Sequence, residues 1–420
     1  MYHVSRLKSG VTVITAEMPH MASVSLGVWV GVGGRYEPAA VAGVSHFIEH
    51  MLFKGTLRRT AREISQAVEG IGGYLNAFTG EESTCFYARV SHDRFDEVFE
   101  VLMDMFIASR FAPEEIEKER GVIKEEIAMY LDQPHQHVQE LLNETMWPNH
   151  PLGTPLTGTN ETIDRISRRD LLTYQLTNYN TATTLIAAAG NIRHAQLVKA
   201  AERQARNIPS GKRPRFTPVN ERQTAPRLKL FTRDTAQMQL ALGLRGCSRH
   251  DPRRYALRVL NALLGDNMSS RLFQSLREEH GLAYSVHSSV SYLDDTGALA
   301  ISAGLDTGNL EKALALTMKE LKRFTATLPT AKELKQARDY LIGHLDLSLE
   351  NTENQMMWLG DQFLGYGRVL TPAEIKKSVS AVTAAHVRQA ARAYFRPENM
   401  SLAMVSPLKT GKGIERLLRT

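Results

Sequence analysis

The chain repeats itself, and that constrains its fold more than any other feature. Residues 23–31 (Ser-Val-Ser-Leu-Gly-Val-Trp-Val-Gly) alternate as a half-buried strand does. Arg35-Tyr36-Glu37-Pro38 and a helical stretch from about Gly43 follow. The same order recurs about 214 positions later: a strand at 237–245, then Arg249-His250-Asp251-Pro252, then a helix through Leu260. Residues 166–189 and 382–405 echo each other too, each running helix, short polar turn, apolar strand. Several echoes in one order predict two homologous domains, and only two copies exclude a solenoid. Residues 207–227 carry Pro209, Gly211, Pro214, Pro218 and Pro226 among polar residues, which is linker chemistry. The expected division is a first domain over 1–207, a linker over 208–227 and a second domain over 228–420. Strands and helices mix without regular βαβ alternation, and 73–79 and 83–90 read as antiparallel across Gly80-Glu81-Glu82. The expected fold class is α+β: two homologous domains, each a mainly antiparallel sheet packed with helices.

Composition narrows the functional classes. Of 420 residues 43% are hydrophobic, enough for more than one core. The net charge of +6 comes from 51 basic and 45 acidic residues with no long run of one sign, so no nucleic-acid partner is expected. Lys212, Arg213 and Arg215 are interrupted by proline and read as solvated linker. Cys85 and Cys247 are far apart and form no Cys-x-x-Cys pair, so both read as small buried residues in a reducing compartment. The first residues lack the pattern of a secretory signal, and no apolar stretch is long enough to span a bilayer. The expectation is a soluble, cytoplasmic protein with no membrane partner.

The chemistry concentrates in two segments. Val44 to Leu52 reads as a helix with Ser45 near its start. His46 and His50 lie at i and i+4, so both imidazoles leave one face. Neutral imidazole ligates zinc well, and Glu49 sits beside the pair without having to ligate. A catalytic zinc needs a third protein ligand, usually a carboxylate here, with the fourth position left to water. The helix from Pro113 to Leu131 supplies Glu119, Glu125 and Glu126. Glu119 and Glu126 are seven apart and share a face, whereas Glu125 points about a hundred degrees away from Glu126. One of the two on that face binds metal and the other supports a histidine. His135-Gln-His137, beside Pro134, reads as loop. The second half has Leu260-Asn-Ala-Leu-Leu264 where the first has its histidines, so it lacks the metal set.

His46-Phe-Ile-Glu-His50 is the reversed His-x-x-Glu-His motif of the inverzincins. The longer run Gly43-Val-Ser-His-Phe-Ile-Glu-His-Met-Leu-Phe-Lys-Gly-Thr56 resembles the pitrilysin and insulysin family, especially its mitochondrial processing peptidase branch. Glu119-Arg-Gly-Val-Ile-Lys-Glu-Glu-Ile127, His150-Pro-Leu-Gly-Thr-Pro-Leu-Thr-Gly-Thr159, Ala187-Ala-Ala-Gly-Asn191 and Leu276-Arg-Glu-Glu-His-Gly-Leu-Ala-Tyr-Ser-Val286 extend the resemblance over essentially the whole chain.

The resemblance implies one zinc per chain, held by His46, His50 and Glu126, with Glu49 as general base and Glu119 behind a ligating histidine. It implies that Gly73 to Phe78 contains an edge strand to which a peptide adds, through Asn76, Ala77 and Phe78, and it brings Phe53 into the substrate-binding set. Arg277 and Tyr284 match the family's Arg/Tyr pair, which acts on a substrate carbonyl and a developing oxyanion. Taken alone, Arg277 would be a surface charge and Tyr284 a core aromatic. In the family, two such domains make half of a clamshell. A chain with both residue sets is therefore expected to form a homodimer, a heterodimer being the other arrangement, with Arg277 and Tyr284 approaching the zinc of the second subunit. The expected activity is zinc-dependent endoproteolysis of peptides or extended segments. The alternative is a non-catalytic structural or chaperone-like subunit of the same family.

Overall fold

A computed structural model describes residues 2–220 and 222–418. The apolar alternation builds two sheets. The first joins β1 (Tyr2–Arg6), β2 (Thr12–Glu17), β3 (Ser23–Val30), β4 (Tyr74–Thr79), β5 (Thr84–Ser91) and β6 (Thr184–Gly190) in the order β1-β2-β6-β3-β5-β4. The second joins β7 (Arg227–Thr232), β8 (Met238–Arg245), β9 (Ala283–Tyr292), β10 (Gly297–Leu305) and β11 (Met400–Ser406) in the order β7-β11-β8-β10-β9. In each sheet one pair is parallel, β2 with β6 and β7 with β11, and the other pairs are antiparallel. The duplication is thus plain in topology, with β1 as an added edge strand in the first sheet.

The central strands are buried on both faces, which explains their near-continuous apolar runs. In β6, Ile186 and Ala188 enter the main core of the first unit with Val28, Phe47 and Phe86. Leu185, Ala187 and Ala189 face the opposite way, against Trp29, Met356 and Leu359. That second layer is the helix Thr352–Tyr366, and the contact is close: a Cβ on Gly360 would lie 2.1 Å from the Trp29 ring. In the second unit the helix Pro134–Met146 covers the sheet through Val138, Leu141 and Met146. A Cβ on Gly243 of β8 would lie 2.4 Å from Met146 Sδ, so the bare backbone there lets Met146 pack closely on the sheet.

These helices correct the expected boundaries. One compact unit comprises Met1–Ala128, Thr154–Thr217 and Leu347–Leu370, and the other Met129–Gly153, Pro218–Asp346 and Thr371–Thr420. The contiguous division at 1–207 and 228–420 misses the exchange, because each half of the sequence contributes one sheet-covering helix to the other unit. The segment around His135 and His137 is corrected as well. It is helical, with Pro134 at the first helical position, where proline's missing N–H costs nothing. The described residues between 209 and 226 form no regular element, as linker chemistry predicts. Cys85 and Cys247 are both free and buried. No helix among the described residues is long and apolar enough to cross a membrane.

Candidate metal centre

The helix Val44–Leu52 places three polar side chains by burying the rest. Val44, Phe47, Ile48, Met51 and Leu52 enter the main core, leaving His46, Glu49 and His50 along the other face at intermediate exposure. Its start is fixed by Gly43, at φ 92°, where a Cβ would lie 2.7 Å from the Thr157 carbonyl oxygen. Glu37 supplies the missing cap. Its carboxylate accepts from the Gly43 N–H at 2.6 Å and the Ser45 N–H at 2.7 Å. Burial pushes the Glu37 carboxyl up to about 7 against those two hydrogen bonds.

The helix Pro113–Asp132 brings the carboxylates. Ile116, Ile123 and Ile127 bury one stripe, Glu119 is itself 4% exposed, Glu126 is half-buried and Glu125 is exposed. Nε2 of His46 and Nε2 of His50 each lie 3.5 Å from the same oxygen, Oε2 of Glu126. His46, His50 and Glu126 each offer one ligand atom, and these lie within 4.8 Å of one another. His50 Nδ1 meets Glu119 Oε2 at 3.0 Å, which directs the other nitrogen toward Glu126. The choice between Glu119 and Glu126, open on spacing alone, is thereby made by distance: Glu126 converges with both rings and Glu119 backs one.

Titration follows the geometry. Burial lowers His46 to about 4, helped by the neighbouring His50 and opposed by Glu126. Burial also acts to lower His50, but hydrogen bonds to Glu119 and Glu126 outweigh it and raise the ring to about 9. For Glu119, burial acts upward, yet hydrogen bonds from His50 and Lys54 hold it below the usual carboxylate range. Glu49 is pushed up, chiefly by burial, against the hydrogen bond that Thr79 Oγ1 donates to its Oε2 at 2.5 Å. His46 Nδ1 is buried without a hydrogen-bond partner among the described residues. Two imidazole nitrogens and one carboxylate oxygen converging, with a further carboxylate behind one ring, fit a zinc ion with an open position.

Around this centre, β4 pairs only with β5 among the described residues, so Asn76, Ala77 and Phe78 stand on an edge strand opposite Tyr87, Phe86 and Cys85. Phe78 packs edge-on against Trp29, with ring centroids 5.5 Å apart. Phe53, just past the histidine helix, is half-buried against the main core. In the second unit, Arg277 lies in the π-helical stretch Phe273–Glu279, its guanidinium 5.9 Å from the Tyr284 ring centroid. Tyr284 is 74% exposed, so it is no core aromatic. It borders a cavity of about 870 Å³ with His287, Gln139 and Glu140. Sequence reading missed Glu37, Lys54 and Thr79, which hold the centre from 6, 65 and 30 positions away from Gly43, Glu119 and Glu49. Glu37 and Lys54 stand inside segments quoted above and Thr79 directly follows Phe78, but nothing in their positions pointed to these contacts.

The duplicated α+β fold, with a two-histidine, one-glutamate cluster able to hold a metal ion in its first half, is that of an insulinase-like protein. Residues 12–160 match the family described as "Insulinase (Peptidase family M16)", and residues 165–341 match "Peptidase M16 inactive domain". The chain belongs to peptidase family M16. It is 38% identical to the uncharacterized zinc protease YmxG of Bacillus subtilis, over 95% of this chain and 97% of that one. It is 35% identical to an uncharacterized zinc protease of Mycobacterium tuberculosis, over 98% of this chain and 95% of the relative. The fold is shared with a protease from Helicobacter pylori at TM-score 0.89 and 19% identity, covering 97% of this chain and 99% of that one. A peptidase M16 inactive domain from Pseudomonas fluorescens gives TM-score 0.89 at 18% identity, covering 98% and 99%.

Proposed function

We propose that this chain is a zinc metalloendopeptidase that cleaves peptides or extended, unfolded segments. The convergence of His46, His50 and Glu126 within 4.8 Å, with Glu49 on the same helix face as the histidines, carries the reading. His46, His50 and Glu126 hold one zinc per chain. When bound, the ion supplies Lewis acidity, acidifying a water and polarising the scissile carbonyl.

The chain's own residues then do the following. Glu49, made more basic by burial, accepts a proton from water as its oxygen bonds to the carbonyl carbon. As the C–N bond breaks, Glu49 returns that proton to the leaving amine. Glu119 keeps His50 oriented through Nδ1. The peptide extends the sheet at the edge formed by Asn76, Ala77 and Phe78, beside Phe53, so recognition is mainly through main-chain hydrogen bonds. Tyr284 donates to the carbonyl oxygen as it gains charge, and Arg277 holds a neighbouring substrate carbonyl. The reading includes a homodimer, because one chain carries both residue sets.

The test is cleavage of a quenched fluorescent peptide of about twenty residues, long enough to lie across a strand-binding edge. Wild type should cleave it and lose activity on chelation. Glu49→Gln should keep its zinc and lose roughly 10²-fold or more of the rate. Zinc-loaded wild type that cleaves no such peptide, or Glu49→Gln that cleaves normally, would defeat the proposal.

A further inference from the structure

Four residues beyond His50, one helical turn on, stands Lys54. Its ammonium lies 2.8 Å from Oε1 of Glu119, while Oε2 of the same carboxylate meets His50 Nδ1 at 3.0 Å. Glu119 is 4% exposed, so a carboxylate there needs both oxygens satisfied. Lys54 and His50 do this from two sides, and the carboxylate plane is held between them.

The lysine is itself held. Its backbone N–H donates to the Met51 carbonyl at 3.1 Å, continuing the helix past its last residue. Ser109 Oγ donates to the same carbonyl at 3.1 Å. Beyond it the chain turns through Gly55, at φ 110°, into Thr56, whose hydroxyl donates to the buried Asp104 at 2.7 Å. Arg58 and Arg59 close on that same Asp104 at 2.9 and 2.8 Å. Lys54 therefore leaves a fixed backbone and is directed at one oxygen.

We propose that Lys54 is a positioning residue for the metal centre: it locks the Glu119 carboxylate so that His50 presents Nε2, and not Nδ1, to the metal. Without the ammonium, Glu119 can rotate and share its oxygens differently, and the His50 ring loses its fixed tautomer and direction. This inference rests on the proposed zinc site and adds a residue to it that does not touch the ion. A carboxylate behind a ligating histidine is worth about 10–100-fold in metal affinity, and Lys54 acts through that carboxylate.

The experiment is zinc affinity by chelator competition on the full chain, for wild type, Lys54→Met, Lys54→Arg, Glu119→Gln and the Lys54→Met/Glu119→Gln double variant. Thermal midpoints of the metal-free proteins check the fold, and Lys54→Gln replaces Lys54→Met if the latter does not fold. Lys54→Met should weaken zinc binding by about tenfold. Lys54→Arg, which keeps the charge, should recover most of the loss. In the Glu119→Gln background Lys54→Met should change little, because the interaction it removes is already gone. Unchanged affinity in Lys54→Met, or fully additive losses in the double variant, would overturn Lys54's role while leaving the metal site standing. A wild type that takes up no zinc would overturn the centre itself and this inference with it.

Discussion

At the scale of single residues, the metal centre is a proton balance as much as a geometry. In the metal-free chain His50 sits between Glu119 and Glu126 and is raised to about 9, whereas burial lowers His46 to about 4. At pH 7, then, His50 carries an extra proton and His46 does not. Ligation needs both rings neutral at Nε2, so zinc must displace the His50 proton. Zinc uptake at pH 7 is expected to release about one proton per chain, falling toward zero above pH 9. Calorimetry in buffers of different ionisation enthalpy measures this directly, and no proton release at pH 7 would contradict it. The clustering of these side chains was legible in the sequence because helical spacing fixes which residues share a face, His46 and His50 at i and i+4 and Glu119 and Glu126 at two turns, although spacing alone did not choose between the two glutamates. Their partners were not. Lys54 reaches Glu119 across 65 positions and Thr79 reaches Glu49 across 30, and no local pattern encodes such contacts. Tyr284 shows the reverse failure: hydropathy alone suggests a core aromatic, yet the ring stands exposed on an edge strand.

At the scale of elements, strands and long helices followed their periodicity, and errors fell where one residue's context reverses its usual meaning. Pro134 reads as an interruption, but at the first helical position it starts the helix Pro134–Met146. The place of the helix Thr352–Tyr366 on the sheet that holds β3 and β6 depends on Met356, Leu359 and Gly360 meeting Trp29, more than 300 positions away. Two helical glycines test that packing with opposite signs. At Gly360 an added Cβ meets the rigid Trp29 ring at 2.1 Å, whereas at Gly343 it meets nothing within 4 Å. Gly360→Ala should lower stability by about 1–3 kcal/mol through overpacking. Gly343→Ala should raise it by about 0.5–1 kcal/mol through the better helix propensity of alanine. Urea unfolding of both variants checks the pair, and equal shifts would mean that the helix Thr352–Tyr366 does not lie against Trp29.

At the scale of the molecule, the duplication explains why one chain holds two different residue sets. The histidine helix of the first half corresponds to Arg254–Leu264 in the second, where Leu260-Asn-Ala-Leu-Leu264 is almost wholly buried and holds no ligand. The second half instead carries Arg277 and Tyr284 side by side. On the function proposed above, the two copies carry different parts of the machinery, the metal cluster in the first and the Arg277/Tyr284 pair in the second. If the pair acts on a peptide held at the zinc of a second copy, a two-fold dimer has two equivalent sites, each built from both chains. Glu49→Gln destroys the base on its own chain and leaves Arg277 intact, and Arg277→Ala does the opposite. Mixed at equal amounts and allowed to exchange, half of the dimers are heterodimers, and each heterodimer has one intact site of two. Activity should therefore return to about a quarter of wild type from two nearly inactive parents. Sedimentation and differently tagged chains establish whether heterodimers form. If they form and no activity returns, each site draws its base and its arginine from one chain. If the chain sediments as a monomer and still cleaves the peptide, the dimer is not needed for catalysis.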